Sequence, residues 1–249
     1  MTGRLAAIWR HPIKAHGRET LRAVRLTANS TMPWDRTWAV AHEAAKLRGQ
    51  DWVPCANFTR GAKVPALMAL TATLDTADEM VTLRHPDLSA LRFAPDREAG
   101  RFLDWIEPLM PEDRARPVAI VRAAGPGFTD SPFPSLSLTN TASLAALERQ
   151  MGRPLSRDRF RSNLWVEGWE PFAEFDLVGR QIRIGTAILS VEVRIGRCLA
   201  TAADPETGRR DADTLGALKE GWGHTQFGVY ATVVDGGEIA VGDRVELLG

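Results

Sequence analysis

What most constrains this chain is the spacing of its short β-rich stretches. "RLAAIWRHP", "ETLRAVRLTA", "RTWAVAHEA", "ALMALTATLD" and "MVTLRHP" follow one another through the first third, each ended by turn-forming residues. "RPVAIVRAAG" adds another in the middle, and "SNLWVEGW", "RQIRIG", "AILSVEVRIG", "FGVYATVVDGG" and "DRVELLG" repeat the pattern towards the end, with glycine in several of the turns. Strands this close together leave no room for crossover helices, so they join as hairpins into curled sheets or barrels rather than βαβ units. Three helices interrupt them. "DREAGRFLDWIEPLMP" carries Phe102, Leu103, Ile106 and Leu109 behind an acidic start. "TASLAALERQMG" has Asn140 or Thr141 as its cap, a Leu144, Leu147 and Met151 stripe, and Gly152 as its stop. "DADTLGALKEG" predicts a shorter one, and the Pro/Ser-rich "PGFTDSPFPSLSLTN" reads as a loop. The expected fold is α+β and β-dominated, a smaller N-terminal β-barrel portion over 1–100 followed by a larger barrel domain over 101–249. A chain of 249 residues has enough interior for this without staples.

The 31 basic residues balance the 31 acidic ones, so net charge gives no reason to expect nucleic acid or an anionic membrane as partner. Arginine greatly outnumbers lysine. Coding bias accounts for most of that excess, and a few arginines are candidates for bidentate anion binding, which lysine does not offer. "MTGRLAAIWRHPIKAHG" lacks a signal-peptide core and no apolar run approaches the ~20 residues of a membrane helix, so the expected compartment is the cytoplasm.

Candidate chemistry is narrowed by what is missing. The histidines His11, His16, His42, His85 and His224 have no HxH or HExxH spacing, and there is no Gly-x-Ser-x-Gly elbow, GxGxxG fingerprint or P-loop. Two cysteines are present, Cys55 and Cys198. Cys55 reads as a packing residue. Cys198 ends a strand behind Arg197, in "GRCLATAADPETG", and three roles stand open for it: a core thiol, half of a disulfide, or a soft metal ligand whose thiolate the neighbouring guanidinium favours. In "RDRFRSNLWVEGW", Arg159, Arg161 and Asn163 fall at alternate positions, and on extended backbone they share one face as an anion-binding ledge. Lys14 in "HPIKAHG" and Arg36 in "WDRTWAV" sit at turns beside strands, where each can reach an anion.

Taken in order, "HPIKAHG", "WDRTWAV", "TDSPFPSLSLTNTASLAAL", "RFRSNLWVEGWEPFAE", "GRCLATAADPETG", "FGVYATVV" and "IAVGDRVELL" resemble successive blocks of the MOSC family, in the branch with an N-terminal β-barrel portion. The likeness is strongest from Phe128 onward and loosest between Gln50 and Glu98. It implies a molybdenum cofactor, a pterin dithiolene with a phosphate tail. By position, Cys198 would be the protein thiolate on molybdenum, Arg161 and Asn163 would hold the pterin or its phosphate, and Lys14 with Ala15, Arg36 and Arg197 would add cofactor contacts. Asp130 and Ser131 match a cofactor-contacting loop. Ala15 replaces a small hydroxyl residue, and Ile195 stands where a second cysteine is common. The resemblance further implies two-electron removal of oxygen from an N-hydroxylated small-molecule substrate, with electrons from a separate redox protein. The alternative is a carrier of molybdenum cofactor or sulfur without turnover.

Overall fold

A computed structural model describes residues 1–49 and 51–248. Its centre is a closed barrel of seven strands: β1 (Thr2–Arg10), β9 (Leu136–Asn140), β10 (Leu164–Glu167), β11 (Gln181–Ile184), β12 (Ala187–Gly196), β13 (Gln226–Asp235) and β15 (Arg244–Leu247). They are ordered β10-β9-β13-β12-β11-β15-β1, and β1 returns to pair with β10, so no edge is left open. The alternation that marks these stretches as strands also fills the barrel. Leu5, Ile8, Leu138, Leu164, Ile182, Leu189, Val191, Val229 and Val245 all point inward and are fully buried, each contributing ~1.5–3 kcal/mol by leaving water.

The remaining strands surround the barrel. β2 (Glu19–Leu21) continues the sheet beyond β1, and β3 (Ala23–Leu26) pairs with β14 (Gly237–Ala240). β4 (Trp38–His42) pairs with β8 (Pro117–Arg122), while β5 (Thr71–Asp75), β6 (Met80–His85) and β7 (Leu88–Phe93) form a three-stranded meander. That half has its own apolar core, including Trp38, Val40, Leu83, Phe93 and Phe102. The sheets cross the boundary expected at residue 100: β1 belongs to the barrel of the second half, and β4 takes β8 as its partner.

Among the described residues, three α-helices complete the fold: α1 (Ala99–Ile106), α2 (Thr141–Met151) and α3 (Thr214–Trp222). The Asn140 side chain caps α2 by accepting from Ala142 N–H, and Gly152 ends it in the left-handed region. α1 starts later than its acidic lead-in suggests, because Asp96 is engaged elsewhere, accepting from Trp38 Nε1 and Arg122 Nη1. The stretch read as a loop up to Asn140 is a loop only in part. Its last five residues are β9, buried on both faces between β10 and β13. Leu136 and Leu138 alternate with Ser137 and Thr139, but the strand is only five residues long, follows a proline-rich run and ends in the cap of α2, which hides it. Among the described residues, no helix is long and apolar enough to cross a membrane.

Candidate active site

The two halves meet at a cleft of about 400 Å³. Lys14, Ala15, Arg36, Asp130, Arg161, Asn163, Arg197 and Cys198, spread over nearly the whole chain, all line it. Ser131 does not. Its hydroxyl turns inward, donating to Phe133 O at 2.9 Å and lying 2.6 Å from Ser135 Oγ, so it shapes the loop while Thr129, Asp130 and Ser135 reach the cleft.

Lys14 and Ala15 occupy a tight turn closed by His16 N–H donating to Ile13 O at 3.0 Å. Lys14 Nζ is buried and donates to Phe128 O at 2.7 Å and to Asp130 Oδ1. Confinement in the cleft raises the Asp130 carboxyl, but Lys14, with Arg36 and Arg161, outweighs it and holds the group below the usual carboxylate range. Arg36 is clamped by Asp35, whose carboxylate also accepts from His11 N–H at 2.8 Å. Burial opposes ionisation of Asp35, yet Arg36 and the His11 hydrogen bonds keep it a carboxylate.

The ledge expected from alternate positions does not form. Arg157–Phe160 is a turn of 3-10 helix, Arg161 is left-handed at φ 47°, and β10 begins only at Leu164. Arg159 is therefore drawn into a bidentate pair with Asp211 at 2.7 and 2.9 Å, with Asp204 at 3.2 Å. Asn163 works as an internal fastener. Its Oδ1 accepts from Ser137 N–H, Ser137 Oγ and Arg36 Nη1 at 3.1, 3.0 and 3.3 Å, and its Nδ2 donates to Trp9 O at 3.2 Å.

Arg161 and Arg197 differ from these partnered cations. Arg161 donates through Nη2 to Gly17 O at 3.0 Å, and Arg197 donates to Phe227 O and Phe160 O at 2.8 Å each while lying over both rings. Among the described residues neither meets a carboxylate, and Arg161 Nη1 and Arg197 Nη2 are buried with no hydrogen-bond partner. Burial, then Arg36 and Arg18, brings the Arg161 pKa down to about 9, and burial brings that of Arg197 to about 10. Two guanidiniums so held are suited to an anion, which would both fill the orphaned donors and restore the charge balance.

Cys198 follows on the same loop. Arg197 N–H bonds to Thr225 O at 2.9 Å, and Thr201 donates from both its N–H and its hydroxyl to Cys198 O at 3.1 Å. The backbone on either side is thus fixed, and the free, exposed thiol lines the cleft. That exposure removes the core-thiol role left open above. Of the seven non-glycine residues with positive φ, three line this cleft: Ala15 at 62°, Arg36 at 53° and Arg161 at 47°. Such conformations cost about 1–3 kcal/mol each and persist where surrounding structure imposes them, often at working sites.

Sequence reasoning missed several lining residues. Cys55, read as packing, borders the cleft and accepts a hydrogen bond from Arg60 Nη1 at 3.1 Å, while Gly61, Ala62 and Met68 continue that wall. Their approach is a matter of long-range packing, and the only local sign is a cation followed by a turn glycine. Tyr230 is the chain's one tyrosine. Strand alternation points it away from the core face held by Val229 and Ala231, and this was the available clue. Burial and the nearby Asp130 carboxylate push its phenol up to about 12.

Comparison with known proteins agrees with this architecture. The MOSC domain model matches residues 128–246, and the MOSC N-terminal beta barrel domain model matches residues 2–102. Mitochondrial amidoxime-reducing component 1 of Homo sapiens is 23% identical, over 99% of this chain and 83% of its own length. Mitochondrial amidoxime reducing component 2 of Bos taurus is 24% identical, over 98% and 82%. Molybdenum cofactor sulfurase of Drosophila grimshawi is 31% identical over 45% of this chain, a match that spans only 16% of the sulfurase. The solved YuaD protein of Bacillus subtilis shares the fold, with a TM-score of 0.51 at 13% identity, over 99% of this chain and 96% of its own. The chain belongs to the MOSC family, in the form that carries the N-terminal β-barrel domain ahead of the MOSC domain.

Proposed function

We propose that the cleft holds a molybdenum cofactor and that the protein reduces N-hydroxylated small molecules with electrons from a separate redox protein. Support comes chiefly from the convergence on one cleft of two buried, unpartnered guanidiniums, Arg161 and Arg197, with a free thiol, Cys198. The donor set fits the group. A pterin phosphate needs charge-assisted donors, and Arg161 Nη1 and Arg197 Nη2 have no other use. Among the described residues no cluster of three or more His, Cys, Asp or Glu forms a metal cage, so a metal at Cys198 Sγ must bring its other ligands with it, as a dithiolene does.

When bound, the cofactor supplies two-electron chemistry, by which an N–OH compound takes up two electrons and two protons and yields the N–H compound and water. The chain's own residues bind and orient. Arg161 and Arg197 clamp the anionic end, Asp35 holds Arg36 at the cleft, and Asn163 ties Arg36 to Ser137 on β9. Tyr230 keeps its proton across the physiological range and presents a donor hydroxyl to the cleft. The similarity to molybdenum cofactor sulfurase favours a second reading, a cofactor or sulfur carrier. Turnover separates the two. Protein from a cofactor-competent host, given an artificial reductant and benzamidoxime, should produce benzamidine repeatedly, and Cys198→Ser should not. Cofactor that is bound but released to an acceptor protein, without product, would favour the carrier.

A further inference from the structure

Six cationic side chains line the cleft, and pairing them off leaves one without an assignment. Lys14 has Asp130, Arg36 has Asp35, and Arg159 has Asp211 and Asp204. Arg161 and Arg197 carry the buried orphan donors assigned above to the cofactor's anionic end. Arg60 remains. It is half-buried on the wall contributed by the N-terminal half, and its hydrogen bond goes to the Cys55 thiol, a weak acceptor that a carboxylate readily displaces.

The stretch of wall next to Arg60 is apolar and its backbone is fixed. A Cβ at Gly61 would lie 2.6 Å from Met68 Sδ and 3.6 Å from Ala200 Cβ, so this wall closes directly against the loop that carries Cys198. Phe58 bridges to Ala41 of β4, Thr59 N–H donates to Val40 O at 2.8 Å, and Arg210 Nη2 donates to Ala62 O at 2.8 Å from the other half. Lys63 and Val64 N–H groups both donate to Arg60 O at 3.0 Å, which sets the turn. The backbone that carries Arg60 is thus set, and its side chain lines the cleft beside Gly61, Ala62 and Met68, next to the loop that carries Cys198.

We infer that Arg60 anchors an anionic group on the substrate, so that the preferred substrates are N-hydroxylated compounds with a carboxylate-type end. This rests on the reductase reading for the reacting end of the molecule.

The test uses cofactor-loaded protein as wild type, Arg60→Gln and Arg60→Lys, with benzamidoxime and 4-carboxybenzamidoxime as a matched pair. For each form, kcat/KM is measured for both compounds, binding of both is titrated calorimetrically without reductant, and pterin content and the melting curve are recorded. Wild type is expected to prefer the carboxylated compound by about tenfold or more, the range of a charge-assisted hydrogen bond. Arg60→Gln should lose that preference and Arg60→Lys should keep part of it, with pterin content unchanged in both. No preference in wild type, or an undiminished preference in Arg60→Gln, overturns the assignment, and so does loss of pterin from Arg60→Gln, which would make Arg60 a cofactor ligand. If neither compound turns over, the reductase reading falls, and the titrations still decide the role of Arg60.

Discussion

Replacing Arg161 with methionine should have opposite effects on the empty and the loaded protein. Burial, Arg36 and Arg18 bring this guanidinium down from its usual value to about 9. At ~1.4 kcal/mol per tenfold change in proton affinity, its charged form is held against roughly 5 kcal/mol. Water admitted by the open cleft screens this to about 2–3 kcal/mol. Below pH 9 both folded and unfolded chains carry the proton, so the whole penalty is present at neutral pH and is relieved only as pH rises above about 9. Methionine removes the charge and also the 3.0 Å bond to Gly17 O, a loss of about 1 kcal/mol. The left-handed backbone at φ 47° strains either side chain alike, so it cancels. Without cofactor, Arg161→Met should therefore be more stable by about 1–2 kcal/mol, which raises the melting temperature by about 3–6 °C in a chain of this length. In a cofactor-competent host the same variant loses a charge-assisted bond of roughly 1.5–3 kcal/mol and should retain about ten- to a hundredfold less pterin. Melting curves of protein made without cofactor, beside pterin fluorescence of protein made with it, read both effects. A lower melting temperature in the empty variant, or full pterin retention, would refute the view of Arg161 as a charge held ready for an anion.

Other consequences follow from the same contacts. Asn163→Ala strands Ser137 N–H and Trp9 O and removes one of the partners of Arg36, and it should destabilise the fold by about 2–4 kcal/mol, read from the denaturant midpoint. Gly228 sits at φ 77°, and an added Cβ would lie 2.6 Å from Leu138 O and 3.3 Å from Arg197 Nη2. Gly228→Ala should therefore lose about 1–3 kcal/mol of stability and reduce pterin retention through a displaced Arg197. Burial lowers His11 to about 3 and His16 to about 4. Below about pH 6.5 the unfolded chain takes up protons that the folded chain refuses, so stability is full above that pH and falls progressively through pH 4. Melting curves across that range should show the decline, and His16→Gln should flatten it.

The fold was legible where each residue's own neighbours decide its structure. Asn140 and Gly152 bound α2 because capping is local chemistry, and the core strands announce themselves by alternation. β9 was missed because its five residues follow the Pro/Ser-rich run and end in the α2 cap, so the short Leu136, Leu138 alternation was absorbed into the loop. The site divides in the same way. Lys14, Arg36, Arg161, Arg197 and Cys198 were recognisable as residue types suited to anions and soft metals, and the fold brings them to one cleft. The positions of Arg159 and Asn163 depended on backbone that departs from the extended form at Arg161, so a ledge read from alternation became one partnered arginine, one anion-ready arginine and one internal fastener. The wall from Cys55 to Met68 is held by β4 and by Arg210, contacts no local pattern announces.

The most direct test of the account is the molybdenum and pterin content of protein purified from a cofactor-competent host, measured together by metal analysis and by fluorescence of the oxidised pterin. The account predicts both at about one per chain in the wild type, with molybdenum lost from Cys198→Ser while the melting curve stays that of a folded protein. Wild-type protein that folds and carries neither metal nor pterin, in a host that loads other molybdenum enzymes, would contradict it.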